Sequence, residues 1–486
     1  MKPERDIAAE RCGDLRPDHV LFLEFNELCP PLLRQWMDSG HLPNFKRLHD
    51  QSAVFVTDPD VTEQHHLEPW IQWYSLHTGL AYDQHGVFHL TDGLRREDDD
   101  LYRVLLRAGR GVGSFSSMNV RPFDGAGSFY VADPWTDEER STPDELNAYS
   151  AFIAHNVREY TNEGAGLGLK DYARFLSFVL RHGLRVSTMA RIAAQLVTEK
   201  VKDRRLHYRR AALLDRIQFD IFRHYFLKHR PALSTFFINS TAHLQHAYWR
   251  HMEPGRFADR PSDDDVAVYG PAVQFGYRSM DRLVGAFIDL ADRHGVMLVF
   301  MTALSQQPYL KYEGRGGQQF YRLTDLEGFL TRAGIRHASV DPVMTHQYVM
   351  RFDDPADLEA ARQRLARYRM GDTEVFGATV RDDELCFGCQ LFDTLAPDAQ
   401  VTDGGGPGFR FFDQLYHIDA VKSAFHHPDG ALWFRTGRHV TPERHASILD
   451  VFPTTLELLG CPPPVGTDRR GRSLMPVLAG EQGAVT

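Results

Sequence analysis

Short apolar stretches of strand length alternate along the chain with longer segments in which apolar residues recur every three or four positions. The first apolar stretch, Val20–Phe25, ends at Asn26 and is followed by two prolines that suit the first turn of a helix. Ala232–Ser240 and Val296–Met301 have the same strand character, as expected of strands that are buried on both faces. The alternation predicts an α/β fold, with a mostly parallel sheet sandwiched between helices.

Asn26 stands where the first predicted strand meets the following helix. Ligands of open α/β sheets collect outside the carboxyl ends of the strands, so Asn26 is a candidate for the edge of a binding site. Asparagine is also common in ordinary turns between a strand and a helix. On this segment alone, the turn is the simpler interpretation.

Residues Leu169–His229 contain apolar positions at helical spacing, interleaved with many arginines and lysines. This pattern predicts a helical insertion at about residues 165–230 of the core. A basic amphipathic stretch can bind a membrane or an acidic partner. A solvated helical hairpin that packs over the core explains the same pattern, and we favour that interpretation.

A small α+β cap is predicted where the strand–helix rhythm breaks. His346–Phe352 alternates like a strand, Asp354–Met370 has a helical pattern, and Glu374–Val380 and Glu384–Phe392 resemble two paired strands. The predicted organisation is the first part of the core, the inserted cap and the end of the core, at residues 1–305, 306–419 and 420–486.

Composition narrows the class of protein. The 486-residue chain is 43% hydrophobic and 25% charged, which is an ordinary globular composition. Its net charge of −10 argues against a nucleic-acid partner, whose phosphates would be repelled. No apolar run approaches the roughly 18 residues of a transmembrane helix, and the first ten residues lack the apolar core of a signal peptide. Together with five scattered cysteines, these features predict a cytoplasmic protein.

Two common catalytic motifs are missing from the sequence. It has no Gly-x-Ser-x-Gly elbow and no phosphate-binding Walker loop, which disfavours serine hydrolases and P-loop enzymes. Cys386 and Cys389 have the spacing of half a zinc site, but no second pair of cysteines accompanies them. We therefore expect these two cysteines to be structural.

Several histidines lie next to predicted strands. His243 and His246 follow one buried strand, and His426 and His427 precede another. Imidazoles at strand ends can converge on one cleft and bind zinc or a similar ion. For any single histidine, a local hydrogen bond in a turn is the simpler interpretation.

Motifs in order along the chain carry a resemblance to a known family. They are Leu42–Leu48, Trp73–Gly79 with His85–Phe88, Thr241–Trp249, His426–Gly430, Asp450–Gly460, Asp468 and Gly471–Leu474. In this order they resemble the alkaline phosphatase superfamily, specifically its type I phosphodiesterase / nucleotide pyrophosphatase branch. The resemblance covers most of the chain apart from the helical stretch and the cap, and it implies an alkaline-phosphatase-like fold.

The same resemblance implies a site in which two divalent ions, usually zinc, flank a threonine or serine nucleophile. In this chain most of the matching positions have changed. The family's first metal-binding aspartate falls on Asn26, and its nucleophile falls on Glu68 or Pro69. The aspartate ahead of the second motif's histidine falls on Ala242, and the Asp-His pair of the third motif falls on Ala303 and Leu304. His246 and His426, which belong to one of the two metal sites, are kept. Two imidazoles alone are a weak zinc site, because catalytic sites usually supply three protein ligands.

Three hypotheses follow. The first is a degenerate phosphodiesterase/phosphatase-like protein that has lost the two-metal chemistry and still binds a small anionic ligand. The second is a hydrolase or transferase of phosphate or sulfate esters whose candidate catalytic residues are Glu68, as nucleophile or general base, and Asn26. Its site would hold one zinc or manganese ion on His246, His426 and Asn26, or no metal. The third hypothesis is that the basic helices dock the protein to a membrane or an enzyme complex.

A third strong ligand in that one-metal site would have to come from elsewhere in the sequence. Candidates are Glu68, Glu24 and the His65-His66 pair.

Overall fold

The computed structural model describes residues 16–63, 66–136, 140–159, 168–342, 346–381, 383–404, 406–418, 421–464 and 468–480. Its α-helices are, in chain order, α1 (Pro30–Asp38), α2 (Pro43–His49), α3 (Pro69–Thr78), α4 (Tyr82–His85), α5 (Leu101–Arg107), α6 (Asn147–Glu159), α7 (Leu169–Arg181), α8 (Val186–Val201), α9 (Arg210–His229), α10 (Ser240–Met252), α11 (Asp263–Tyr269), α12 (Ala272–His294), α13 (Leu326–Arg332), α14 (Pro355–Leu365), α15 (Phe411–Gln414), α16 (Val451–Leu458) and α17 (Met475–Ala479).

The β-strands are, in chain order, β1 (His19–Phe25), β2 (Ser52–Asp58), β3 (Val112–Phe115), β4 (Phe129–Val131), β5 (Leu233–Ile238), β6 (Val296–Met301), β7 (Ser305–Pro308), β8 (Phe320–Leu323), β9 (Ser339–Pro342), β10 (Gln347–Arg351), β11 (Tyr368–Met370), β12 (Thr373–Glu374), β13 (Phe376–Arg381), β14 (Glu384–Cys389), β15 (Gln400–Asp403), β16 (Gly406–Arg410), β17 (Leu415–Ile418), β18 (Ala424–His427), β19 (Gly430–Arg435) and β20 (Ala446–Ser447).

Eight strands form the central sheet, in the order β20-β2-β19-β6-β1-β5-β3-β4. Neighbouring strands are parallel, except that β19 runs antiparallel to β2 and β6. Buried apolar side chains form one large cluster with the helices on each face of this sheet. The predicted fold class, a mostly parallel sheet between helices, is confirmed.

Strand β1 lies near the middle of the sheet and is buried along its length after its first residue. It pairs in parallel with β5, where Phe25 is opposite Ile238, and with β6, where Glu24 is opposite Met301. Because the three strands are parallel, the residues that follow them come together at the carboxyl ends of the strands. Ligands of open α/β sheets bind at these ends.

The helices predicted for the basic stretch are present as α7, α8 and α9. Phe219 and Phe222 of α9 and Phe175 and Phe178 of α7 are buried in the core cluster of one sheet face. Helix α8 packs outside α9 and has many exposed side chains. Among the described residues, no helix combines the length and the apolar character that crossing a bilayer requires.

The region between β7 and β18 forms a cap of small antiparallel sheets, in the orders β13-β14-β10-β9, β12-β11-β15-β16 and β17-β8. It has its own cluster of buried apolar side chains. The helix predicted over Asp354–Met370 ends earlier, at Leu365, and Tyr368–Met370 is a strand instead. Pairing with β15 overrides the helical pattern there. The exact boundaries of core and cap stay a prediction.

Candidate metal centre

Glu27 is the second residue after β1, and its backbone conformation is unusual for a residue other than glycine. Its φ is +60°, in the left-handed region that side chains with a Cβ rarely adopt. Two hydrogen bonds hold this conformation: Glu27 N donates to Thr302 O at 3.3 Å, and Gln245 Nε2 donates to Glu27 O at 2.8 Å. The surrounding strands and helix therefore fix where the Glu27 carboxylate lies.

Two histidines from different elements face that carboxylate. His246 lies in α10, which begins just after β5, and His426 lies in β18, which pairs with β7. The Oε2 atom of Glu27 is 3.1 Å from His246 Nε2 and 3.4 Å from His426 Nε2. The side chain of Glu27 is 4% exposed, and those of His246 and His426 are 15% and 10% exposed. One carboxylate oxygen and two imidazole nitrogens thus converge beyond the carboxyl ends of the central strands.

The spacing of these atoms suits a divalent metal ion. Zinc lies about 2.0–2.2 Å from nitrogen and oxygen ligands, so neighbouring ligand atoms of a tetrahedral site are about 3.3 Å apart. The two distances from Glu27 Oε2 agree with that spacing, and candidate ligand atoms of Glu27, His246 and His426 all lie within 4.8 Å of one another. His246 Nδ1 is 2.9 Å from Ala424 O. A proton on Nδ1 would donate to that carbonyl and leave the Nε2 lone pair for a metal.

Two amide side chains hold the Glu27 carboxylate from the protein side. Asn26 Nδ2 donates to Glu27 Oε1 at 2.6 Å. Gln306 Nε2 donates to Glu27 Oε2 and, at 3.2 Å, to Ala242 O. Hydrogen bonds of this kind orient a ligating carboxylate, and their partners are an integral part of a metal site.

The charges of the cluster support one another. Burial raises the pKa of Glu27, but the facing imidazoles of His426 and His246 outweigh burial and hold that pKa well below its usual value. Burial lowers the pKa of His426, whereas Glu27 and Glu68 outweigh burial and raise it. Burial dominates at His246 and lowers its pKa despite the hydrogen bond to Glu27. The cluster therefore joins an ionised carboxylate to one imidazole that favours the charged form and one that favours the neutral form. Because only a neutral imidazole ligates a metal, a bound ion would displace the proton of His426.

Asn26, a predicted catalytic and metal-binding residue, lies beside the cluster and is 1% exposed. Its Oδ1 accepts a hydrogen bond from Trp73 Nε1 at 2.8 Å. Its Nδ2 donates to Glu27 Oε1 and, at 2.8 Å, to Asn239 Oδ1. Asn26 thus contacts the cluster through its NH2 group, while its oxygen faces Trp73.

Glu68, the other predicted catalytic residue, lies on the far side of His426. Helix α3 begins at Pro69, so Glu68 is the residue immediately before the helix. Its Oε2 is 3.6 Å from His426 Nδ1, and its side chain is 24% exposed. Burial raises the pKa of Glu68, against a smaller lowering by His426. Glu68, His246 and His426 are therefore brought together around Glu27.

Of the other side chains considered as third ligands, two contact other residues and one lies outside the described residues. The Oε1 atom of Glu24 is 2.8 Å from His77 Nε2. The ring of His66 lies against Tyr82, with centroids 4.7 Å apart. His65 lies outside the described residues.

Glu27 is the residue that the sequence interpretation missed. The motif match placed the family's carboxylate on Asn26 and left the next residue without a role. The signal was available, because Glu27 is a carboxylate directly beyond a buried strand, at the sheet edge where ligands bind. What the sequence does not contain is the φ of +60° that turns this side chain towards the two histidines.

Comparison with known proteins gave matches among solved structures only. No protein-family model matches the chain, and no curated protein matches it. Phosphonoacetate hydrolase from Sinorhizobium meliloti, in complex with phosphonoformate, is 14% identical over 92% of this chain and 96% of its own, with a TM-score of 0.40. Murine ectonucleotide pyrophosphatase / phosphodiesterase 5 is 11% identical over 92% and 97% of the two chains, with a TM-score of 0.38.

A third solved structure, alkaline phosphatase PafA, is 11% identical over 95% of this chain and 98% of its own, with a TM-score of 0.45. The identities and scores are low, so the chemistry of the site is argued from this chain's own residues.

Proposed function

We propose that the protein is a degenerate phosphodiesterase-like protein that holds one divalent metal ion, zinc or manganese, on Glu27, His246 and His426. At this centre it binds a phosphate or sulfate ester, the ligand class that the sequence motifs imply. The observation that carries the proposal is the approach of two imidazole nitrogens to one carboxylate oxygen, at 3.1 and 3.4 Å. The proposal replaces Asn26 by Glu27 as the oxygen ligand and makes Asn26 the residue that positions Glu27.

The residues around the centre support one ion and not two. Among the described residues, only Glu27, His246 and His426 form a group of three potential ligands at metal-binding spacing. Ala242, Ala303 and Leu304, where the family has carboxylate and histidine ligands, are apolar and at most 1% exposed. A buried cation needs compensating negative charge, and these positions supply none.

The chain's own residues would hold the ligand and shape its surroundings. A divalent ion at this centre would supply positive charge that polarises a phosphoryl or sulfuryl oxygen. Three protein donors leave the fourth position of a tetrahedral centre for that oxygen. Asn26 and Gln306 keep the Glu27 carboxylate in place, and the Ala424 carbonyl fixes the His246 ring. Because the three ligands are largely buried, water has limited access to the bound group.

Turnover of the ester is a second candidate function, and Glu68 favours it. The Glu68 carboxylate is partly exposed, lies 3.6 Å from His426 and makes no hydrogen bond within the described residues. A carboxylate beside a metal centre can act as a nucleophile or as a general base. In this case the protein would be a hydrolase or transferase with a rebuilt site.

Metal analysis of the purified protein tests the proposal. We expect about one equivalent of zinc or manganese per chain, lost in the double variant His246→Ala/His426→Ala and kept in His243→Ala. His243 is a matched control because it lies one turn before His246 in α10, but outside the three-residue cluster. Wild-type protein that binds neither metal after incubation with both would refute the one-metal centre.

Assays with an aryl phosphate, a phosphodiester and an aryl sulfate separate the two candidate functions. Turnover that is abolished by Glu68→Gln, at unchanged metal content, supports the enzyme. If none of the three esters is turned over, but calorimetry shows that phosphate or sulfate binds to the metal-loaded protein, the degenerate binding function is supported.

A further inference from the structure

Helices α8, α9 and α12, with Arg209 just before α9, line a half-open cavity of about 220 Å³ that shares no residue with the candidate metal centre. Its lining is rich in arginine and contains no acidic residue. The lining residues are Arg191, Ala194, Gln195, Thr198, Arg209, Ala212, Leu213, Arg216, Phe275, Ser279 and Arg282. Arg209 and Arg216 are partly buried, whereas Arg191 and Arg282 are exposed. The four like charges around one small cavity repel one another unless negative charge compensates them.

Compensation by the protein is weak. Within the described part of the chain, Arg191, Arg209, Arg216 and Arg282 are absent from every ion pair closer than 4.0 Å. The Nε atom of Arg216 is buried and has no hydrogen-bond partner among the described residues. A buried donor without a partner is unfavourable, and an anion in the cavity would supply an acceptor.

Neighbouring positive charges also act on these arginines. Burial lowers the pKa of Arg216, and the charges of Arg191, Arg282 and Arg185 lower it further, against a smaller raising by Asp220. Burial and the charges of Arg191 and Arg278 lower the pKa of Arg282, against a smaller raising by Asp281. A bound anion would relieve this repulsion.

The surroundings hold two of the guanidinium groups in place. Arg209 stacks over the ring of Phe275, at 5.4 Å from its centroid. Arg282 Nη2 donates to Ser279 Oγ at 2.9 Å. Planar, pre-oriented guanidinium groups match the oxygens of phosphate, with two parallel hydrogen bonds each.

We propose that this arginine cavity binds a phosphate-bearing anion of at least two negative charges. A monovalent carboxylate would leave most of the charge of four arginines uncompensated. The anion belongs either to a soluble compound, such as a pyrophosphate, or to the headgroup of an acidic phospholipid. Both sources present the same phosphate chemistry to the cavity.

The outer surface of α8 gives the reason to test a lipid source. Val186, Val197 and Val201 are 80%, 61% and 76% exposed. The polar side of the same helix faces the protein, where Thr188 donates to Asp220 and Glu199 pairs with Arg210. Apart from Ile192, which packs against the core, the inner side of α8 is therefore mostly polar, unlike that of a usual surface helix.

The charge of this region suits an acidic membrane. Residues 168–204 carry eight arginines and lysines against three acidic residues, in a chain whose net charge is −10. Basic helices with exposed apolar side chains bind to surfaces of acidic lipids. Arg191 lies on α8 itself, so a headgroup in the cavity would be next to this surface.

Two binding experiments on the full-length protein test the proposal, both in the presence of a chelator so that the metal centre is empty. Calorimetry measures binding of inorganic pyrophosphate. Co-sedimentation measures binding to vesicles of phosphatidylcholine with phosphatidic acid, whose phosphate monoester can carry two negative charges. We expect at least one probe to bind about tenfold or more weakly to Arg191→Gln/Arg216→Gln than to wild type. The control Arg293→Gln removes an exposed arginine of α12 outside the cavity and should bind like wild type.

The melting temperature without ligand adds a second readout. Because the substitutions remove repulsion, the double variant should melt at or above the wild-type temperature, whereas arginines with a purely structural role would lower it. Should the double variant fail to fold, Arg282→Gln takes its place.

Binding of pyrophosphate alone identifies a soluble source, and binding of acidic vesicles alone identifies a lipid source. The proposal is overturned if wild type binds neither probe, or if the cavity variants bind both as wild type does.

Discussion

Strand β1 and its tip present two glutamates, three positions apart, and each faces histidine. Glu24 has one partner for each carboxylate oxygen: His77 Nε2 is 2.8 Å from Oε1, and Ser117 Oγ donates to Oε2 at 2.6 Å. At Glu27 a single oxygen, Oε2, faces both His246 Nε2 and His426 Nε2. The same residue types thus form a closed pair at Glu24 and His77, and a set of converging metal-ligand atoms at Glu27, His246 and His426.

Burial separates the two glutamates further. The side chains of Glu24 and His77 are 0% and 3% exposed and lie between β1 and α3. His246 and His426 are 15% and 10% exposed and lie past the ends of the strands. A pair inside the sheet layers can only stabilise the fold, whereas a group at the strand ends can also meet a ligand. Position relative to the end of β1 therefore decides which glutamate belongs to a site.

The largest expected effect concerns the closed pair. His77→Leu leaves the Glu24 carboxylate buried without its imidazole, which typically costs about 3–5 kcal/mol of the free energy of unfolding. Urea unfolding in the presence of a chelator measures the loss. In a separate sample without chelator, the metal content of the folded protein should stay at the wild-type level, because His77 contacts Glu24 and not Glu27.

His85→Leu is the matched control for this prediction. Burial lowers the pKa of His85 to about 4, so its ring is neutral at pH 7, and its Nε2 is 2.9 Å from Ser75 Oγ. His85→Leu removes this hydrogen bond and the one that Nδ1 accepts from Val87 N at 2.9 Å. Two neutral hydrogen bonds, at about 0.5–1.5 kcal/mol each, together contribute about 1–3 kcal/mol. An equal loss in both variants would show that the Glu24–His77 pair is not a charged pair of special importance.

Asp215 is a buried carboxylate without a histidine partner among the described residues, and its effect on the free energy of unfolding depends on pH. Burial raises the pKa of Asp215 to about 7, against a lowering by the hydrogen bond from Ser240. The unfolded chain releases this proton near pH 4. Between about pH 4 and 7 the folded state alone keeps the proton, so the free energy of unfolding falls as pH rises and the fall ends above about pH 7.

Asp215→Asn removes this contribution. From pH 5 to pH 8, wild type should lose roughly 3 kcal/mol more of its free energy of unfolding than the variant does. Urea unfolding at both pH values gives the difference. Asp263→Asn, in which the replaced side chain is 90% exposed, should keep the wild-type pH dependence. A variant Asp215→Asn with the full wild-type fall would contradict the assigned role.

Much of the fold could be predicted from the sequence, because periodicity records burial directly. Val20–Phe25 is apolar apart from Glu24 because β1 is covered on both faces, and the structure places it in a central, mostly parallel sheet. Tyr368–Met370 was predicted within a helix, since a local pattern carries no information on its partner strand β15. Pairing partners far apart in sequence decide such segments.

The site was predicted in part. His246 and His426 could be found because both flank buried strands and match a family motif, and the structure brings them together. Glu27 could have been found as a carboxylate beyond the same buried strand, but not its direction, which depends on a left-handed backbone held by Thr302 and Gln245. These contacts join residues that are more than 200 positions apart along the chain, and no local pattern encodes them.

The smallest predicted effect concerns Asn26, which holds one oxygen of Glu27 and does not face the centre with its own oxygen. In Asn26→Ala the carboxylate loses a hydrogen bond at Oε1 but keeps Gln306 at Oε2. Loss of such a supporting contact weakens metal binding by about ten- to a hundredfold. Competition with a chelating dye, on protein shown to be folded, measures the affinity for zinc.

Asn119→Ala provides the control, because Asn119 is also buried, at 4% exposure, and donates to Trp70 O away from the cluster. Both variants should lose stability, since each removes a buried hydrogen bond, but only Asn26→Ala should bind zinc more weakly. If zinc affinity is unchanged in Asn26→Ala, Gln306 alone is enough to orient Glu27. A complete loss of binding would mean instead that the Asn26 oxygen turns towards the metal, as the motif match first implied.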